Sequence, residues 1–509
     1  MPTFHLRWRS ACIVLMTPLL LTGVLGCAPQ EAPPTEVAEV VVEEIPVTTA
    51  SETARALHAE GEYLLDVGRN VEARQKFQAA IAEDPGFVRA HFNQSNAALS
   101  FKEFQTCLDM ASENLASASD GEKLMVEVNR TFLSNDNQTG LELAQQLADT
   151  YPNSPRAAIM LAGLQSAMND NEGARASYTR ALELDPTSAG ALFGIAGNYL
   201  GGEPKDFLKA EEWVQKAIAA YPDEAKGYEV LGDIKRGQND LEAAREAYNQ
   251  AAAKDPALAV AQHKKGHVNS FLGNIDEARA AYDAGVAAAP PESKAVYAVF
   301  KAFTRIHEGN VPAALDELEA LADGMEAMGT PSDQLKGNQI FAMNSHATAA
   351  MHAGLFGRAA QSVAKGNELR MAVADEVGTD DARRIQEAAC HQWDGVLAAY
   401  RGKPAKAAEH AEAIAALVAE DENPRKLEGY HYVLGIAALK AGDNTKAAEH
   451  LRQANYKNNM YIRYQLAEAE EALGNTEAAR KMFAEVGNFN FNSVGFALVG
   501  RDAAARAVG

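Results

Sequence analysis

Basic and aromatic residues are both scarce in this chain of 509 residues. Lys and Arg number 47 against 69 Asp and Glu, a formal charge of −22, and aromatics make up 7%. A surface of that sign repels phosphate backbones and anionic membrane faces, so nucleic acid is not expected as a partner of the body of the chain. Cysteine is rare too, at four in all. Cys12 and Cys27 fall near the N-terminus, while Cys107 and Cys390 lie in distant stretches and read as buried small apolar residues. There is no paired-cysteine metal pattern, no phosphate-binding glycine loop and no nucleophile elbow. His307 and Glu308 begin a zinc-protease pattern, but Val311 stands where the second histidine belongs. His346, His352, His391, His410, His431 and His450 include no pair at the i, i+4 spacing of a helical metal site, and read as scattered surface or groove residues. No catalytic residue, metal or cofactor is therefore expected.

What the chain has is a repeat. Tyr228, Leu231, Gly232, Ala244, Tyr248, Ala251 and Pro256 are answered, 34 residues on, by Gly266, Ala278, Tyr282, Gly285 and Pro290. Tyr228, Leu231 and Gly232 share one helix face, as do Ala244, Tyr248 and Ala251. Gly232 and Ala244 are small where two helix backbones come close. Between the helices, Gly237 is expected to take a left-handed turn, and Asn239 with Glu242 to form a capping box. Gly273, Asn274 and Glu277 repeat the device, and Asp255 before Pro256 ends the unit. This pattern resembles the tetratricopeptide-repeat (TPR) family, whose unit is a pair of antiparallel helices. The resemblance implies an all-α fold, an α-solenoid in which TPR and TPR-like hairpins stack into a right-handed superhelix.

Along the chain, residues 1–26 read as a signal peptide, with Arg7 and Arg9 before an apolar run. Val24, Leu25, Gly26 and Cys27 resemble the lipobox of bacterial lipoproteins, which implies lipid attachment at Cys27; ordinary secretory cleavage and an uncleaved anchor are the alternatives. Residues 27–50, rich in Pro, Glu, Val and Thr, read as a flexible tether. A regular repeat array is expected over 51–292, and longer TPR-like hairpins over 293–424, pairing 293–307 with 311–328, 333–353 with 355–377 and 382–400 with 405–419. The 34-residue metre returns over 425–486, for about a dozen hairpins in all. Phe489, Phe491, Phe496, Leu498 and Val499 make 487–509 an apolar cap for the last exposed face, or else a hook for a partner.

In the family the first helix of each pair lines the concave side. Carried onto this chain, its inward positions are Lys226, Glu229, Asp233 and Arg236 in one unit, and Val260, His263, His267 and Ser270 in the next. The candidate groove residues are thus Lys226, Glu229, Asp233, Arg236, His263 and His267. Glu229 and Asp233 stand where chaperone-binding members place Lys and Asn, so a terminal carboxylate is expected to be repelled. The implied function is that of a protein-interaction scaffold or assembly factor, with other proteins as partners and the membrane reached through the lipid anchor. The implied location is a bacterial envelope, at the outer membrane facing the periplasm. A substrate-capture lipoprotein is the alternative, but the nutrient-uptake kind carries Trp-rich loops, and this chain has three Trp. An enzyme with its site in 293–420 would need a cluster of strongly shifted acids or histidines.

Overall fold

A computed structural model describes residues 42–134, 136–421 and 423–508. The signal segment, Cys27 and residues 28–41 of the expected tether lie outside the described residues. Among those described there are helices and no strands.

The helices pair as hairpins in chain order. The regular part comprises α1 (Glu52–Asp66) with α2 (Asn70–Glu83), α3 (Val88–Asn96) with α4 (Phe101–Glu113), α5 (Asp120–Ser134) with α6 (Asn137–Thr150), and α7 (Pro155–Ala167) with α8 (Asn171–Leu184). It continues with α9 (Ala189–Gly201) and α10 (Phe207–Ala220), α11 (Ala225–Gly237) and α12 (Leu241–Lys254), and α13 (Ala259–Leu272) and α14 (Ile275–Ala288). Longer hairpins follow: α15 (Pro291–His307) with α16 (Val311–Gly324), α17 (Ser332–His352) with α18 (Phe356–Val377), and α19 (Asp380–Tyr400) with α20 (Pro404–Leu417). After these come α21 (Glu428–Ala441) with α22 (Asn444–Leu451), α23 (Met460–Ala472) with α24 (Thr476–Gly487), and a closing helix α25 (Val494–Val508).

The 34-residue signature is a packing device. A Cβ built on Gly266 would sit 2.7 Å from Cε1 of Tyr282, and one on Gly61 2.6 Å from Cε1 of Phe77, so the ring of the second helix lies flat on the bare backbone of the first. Tyr248, Tyr282 and Phe77 are fully buried as a result. Tyr248 also packs on Val268 of the next hairpin, which ties neighbours together.

Most hairpins turn through a single left-handed residue. Gly68, Gly273, Gly309, Gly354, Gly402, Gly442 and Gly474 hold φ between 67° and 84° there, and Asn169 and Asn239 hold 62° and 61°. Glycine and asparagine tolerate this region because other side chains crowd the following carbonyl. The expectation at Gly237 is corrected: it is the last residue of α11, Asn239 takes the left-handed conformation, and the side chain of Asp240 caps α12 by accepting from the Ala243 amide. At the next hairpin Gly273 does turn left-handed, but Asn274 makes no side-chain cap.

The described end of the expected tether is also corrected. Residues 42–50 form a bound strap, not free coil. Ile45 is 2% exposed and shares a core with Val88, Phe92, Leu108 and Met125. The Glu43 amide donates to the Asn153 carbonyl at 3.0 Å, the Thr48 amide to Glu122 Oε1 at 3.0 Å, and the Thr49 hydroxyl to Asp84 at 2.6 Å. One buried isoleucine and satisfied backbone amides outweigh the entropy of a short polar stretch.

The core divides unevenly. Apolar residues from α15 to α23 form one continuous cluster, from Ala295 to Ala469. Before α15 the core is a row of smaller clusters, most shared by two neighbouring hairpins; the one that takes in Ile45 runs from Val88 of α3 to Ala157 of α7.

Candidate functional site: the inner wall

First helices touch first helices, α11 against α9, α13 against α15 and α15 against α17, and so form the inner wall. The solenoid winds tightly enough for its first hairpin to reach the sixth: the Tyr63 hydroxyl donates to Glu224 at 3.0 Å. Between them opens a cleft of about 800 Å³ lined by Asp66, Arg69, Lys226, Glu229, Lys254 and Lys264, among others.

The expected groove residues divide into two groups. Lys226, Glu229, Asp233 and Arg236 join an ion network centred on Lys264. Glu229 is 2% exposed, accepts from Lys226 Nζ at 2.7 Å, and is also bonded by Lys264. Burial alone would raise its carboxyl, but the charges of Lys264 and Lys226 outweigh burial and hold it at about 2. Asp233 accepts from Lys264 Nζ at 2.5 Å, from Arg236 at 3.1 Å and from the Tyr248 hydroxyl at 2.8 Å. Three cations therefore face two carboxylates, so the expected repulsion of a terminal carboxylate loses its premise. The acids are neutralised from within.

His263 and His267 go instead into an aromatic box. His263 stacks on Tyr297, with centroids 4.0 Å apart and planes 10° apart, and burial lowers it to about 3, with Lys264 and Arg236 adding to the effect. His267 Nδ1 lies 2.7 Å from the Tyr282 hydroxyl, and burial holds that ring well below its ordinary value. Phe300 stands edge-on to both histidines.

The box is closed by the chain's own tail. Residues 489–493 are non-helical and lie against the ends of α11, α13 and α15. Asn490 donates to the Asn239 side chain at 2.6 Å and to the Arg236 carbonyl at 3.5 Å. Asn492, fully buried, donates to the Tyr282 hydroxyl at 2.9 Å and lies 3.3 Å from both His267 Nδ1 and His307 Nε2. Phe491 stays half exposed beneath Arg236, and Phe496 of α25 meets Phe271 edge-on.

Sequence reasoning named Lys226 and Glu229, which line the cleft, but missed Lys264, Arg69 and Lys254 there and the asparagines of the tail. A signal for the last was present. Asn488, Asn490 and Asn492 alternate with Phe489 and Phe491, the period of two that puts one residue type on one side of an extended segment.

Models described as tetratricopeptide repeat match residues 58–106, 159–225, 205–259 and 432–492, and a second of the same description matches 259–291. The cellulose synthase operon protein C of Pseudomonas fluorescens (strain SBW25) is 31% identical over 163 residues, which is 31% of this chain and 13% of that protein. The chain thus spans only a small part of that relative's length. Among solved structures, a tetratricopeptide repeat protein from Parabacteroides merdae is 13% identical, with 58% of this chain and 100% of that one covered and a TM-score of 0.33. YrrB, described as a TPR protein with an unusual peptide-binding site, is 23% identical, with coverage of 35% and 91% and a TM-score of 0.28. PilW, described as a type IV pilus biogenesis factor, is 16% identical, with coverage of 43% and 99% and a TM-score of 0.34.

Proposed function

Since the chain belongs to the tetratricopeptide-repeat family, we propose that it is a protein-interaction scaffold that grips an extended or helical partner segment along its inner wall. The observation that carries this is the tail. The wall formed by α11, α13 and α15 already holds a non-helical stretch through asparagine side chains, so its geometry suits main-chain and amide recognition. The cleft at the opposite end of α11, walled by Arg69, Lys226, Lys254 and Lys264 among acids, is the part left open for a partner.

The anchoring and location belong to the same proposal. Val24, Leu25, Gly26 and Cys27 support lipid attachment at Cys27, and so an assembly factor of a bacterial envelope, held at the outer membrane and facing the periplasm. Labelling with a fatty-acid analogue is expected to mark the chain and to fail for Cys27→Ser; equal labelling of both would remove the anchor from the reading.

The binding itself is tested by crosslinking in the native cell, comparing the natural chain with an Arg69→Glu, Lys254→Glu variant. These side chains are 42% and 35% exposed and pair, among the described residues, only with the exposed acids Glu72 and Asp223, so the change leaves the buried Glu229 network alone. A specific partner lost from the variant supports the cleft. The same partners from both variants, or none from either, overturns it.

A further inference from the structure

The second half of the chain contains a duplication that the 34-residue metre hides. His391, Gly395 and the run Lys406-Ala407-Ala408-Glu409-His410 recur forty residues later as His431, Gly435 and Lys446-Ala447-Ala448-Glu449-His450. The fold turns each copy into a hairpin, α19 with α20 and α21 with α22, and so brings the two histidines of each copy together. Nδ1 of His391 lies 3.0 Å from Nδ1 of His410, and Nδ1 of His431 lies 3.0 Å from Nδ1 of His450. The ring centroids are 5.3 Å apart in both pairs. All four histidines are half-buried.

We propose that each pair is a binding site for a divalent transition-metal ion that favours imidazole, such as Zn²⁺ or Ni²⁺, clamping the two helices of its hairpin. The distances suit the task. Two nitrogens 3.0 Å apart, each about 2.05 Å from one metal, subtend about 94° there, close to adjacent octahedral positions; a tetrahedral ion needs an opening of only about 0.3 Å. From a head-on hydrogen bond, each ring has to turn by roughly 40° to aim its lone pair at that point. Asp394 beside His410 and Glu449 beside His431 bring negative charge to the two sites. No group of three or more candidate ligands occurs among the described residues, so water completes each coordination shell.

Among the described residues, His263 and His267 form a further close pair, with centroids 4.2 Å apart, but they are buried behind the tail and Nδ1 of His267 is already bonded. The expected stoichiometry is therefore two.

Titration calorimetry of the purified full chain, first stripped with chelator, tests this with Zn²⁺ and Ni²⁺ and with Mg²⁺ as the oxygen-preferring control. Two equivalents of Zn²⁺ or Ni²⁺ are expected, and none of Mg²⁺. His410→Gln and His450→Gln should each abolish one equivalent, weakening that site by at least about a hundredfold, since even a changed partner of a ligand costs up to that much. The double variant should bind neither, with its helical circular dichroism intact. Unchanged stoichiometry in both single variants, or no binding by the natural chain beyond that of the double variant, means the pairs are histidine hydrogen bonds only and overturns the proposal.

Discussion

Asn492 donates its side-chain amide to the hydroxyl of Tyr282, a residue 210 positions earlier, at 2.9 Å and out of reach of solvent. The contact ties the last turn of the solenoid to its middle. Replacing Asn492 with Ala strands Nε2 of His307 and takes one of its bonds from the Tyr282 hydroxyl, which keeps Nδ1 of His267. The expected cost is about 1–3 kcal/mol, read as faster hydrogen exchange in α13, α14 and α15. Unchanged exchange there would show that the tail merely rests on the wall.

Glycines of the repeat separate into those under a ring and those in open space. Gly266→Ala drives a methyl against Tyr282 and should destabilise by about 1–3 kcal/mol in chemical denaturation. Gly163 lies mid-helix in α7 with nothing within 4 Å of an added Cβ, so Gly163→Ala should stabilise by about 0.5–1 kcal/mol. The same sign for both would contradict the ring-on-backbone packing.

Lys264 holds two carboxylates at the inner wall. Lys264→Met leaves Glu229 buried with Lys226 as its remaining cation, and should cost about 3–5 kcal/mol. Adding Glu229→Gln should restore much of the loss in a double-mutant cycle, because the stranded charge goes with it. Additive losses would mean that the two residues act apart.

The buried histidines set a pH window. Burial lowers His263 to about 3, and His307 and His58 to about 4, from an ordinary 6.5. The unfolded chain thus binds protons that the folded chain refuses, so this stability is fully present above pH 6.5 and falls as pH drops toward those values. Glu229 and Glu62, held at about 2 by neighbouring cations that overcome their burial, add a second loss below their ordinary 4.5. Denaturation midpoints should fall from pH 6.5 to 4, by on the order of 2–3 kcal/mol per buried histidine. His263→Phe, which keeps the stack on Tyr297, should flatten that slope; an unchanged slope would place the dependence elsewhere.

Much of the fold was legible because its determinants are local and periodic. Gly232 with Tyr248 and Gly266 with Tyr282 announced both the hairpin and its length. The three hairpins between residues 291 and 417 fell within a few residues of expectation, since helix ends carry their own Pro and Gly marks. The rest depends on contacts between distant stretches. Ile45 looked like part of a polar tether because its partners lie beyond residue 87. Glu229 looked like a repelling acid because Lys264, one repeat away, is not adjacent on its own helix. The histidine pairs were written in the chain, but at a forty-residue step that a search tuned to 34 passes over.

The uneven core has a mechanical consequence. Force or denaturant applied to the first seven hairpins meets several separate clusters, so this part has joints at which it can yield in steps. Beyond Ala295 no such joint exists, and the stretch up to Ala469 must yield as a single block or hold. A chain built this way gives way in steps at one end and all at once at the other.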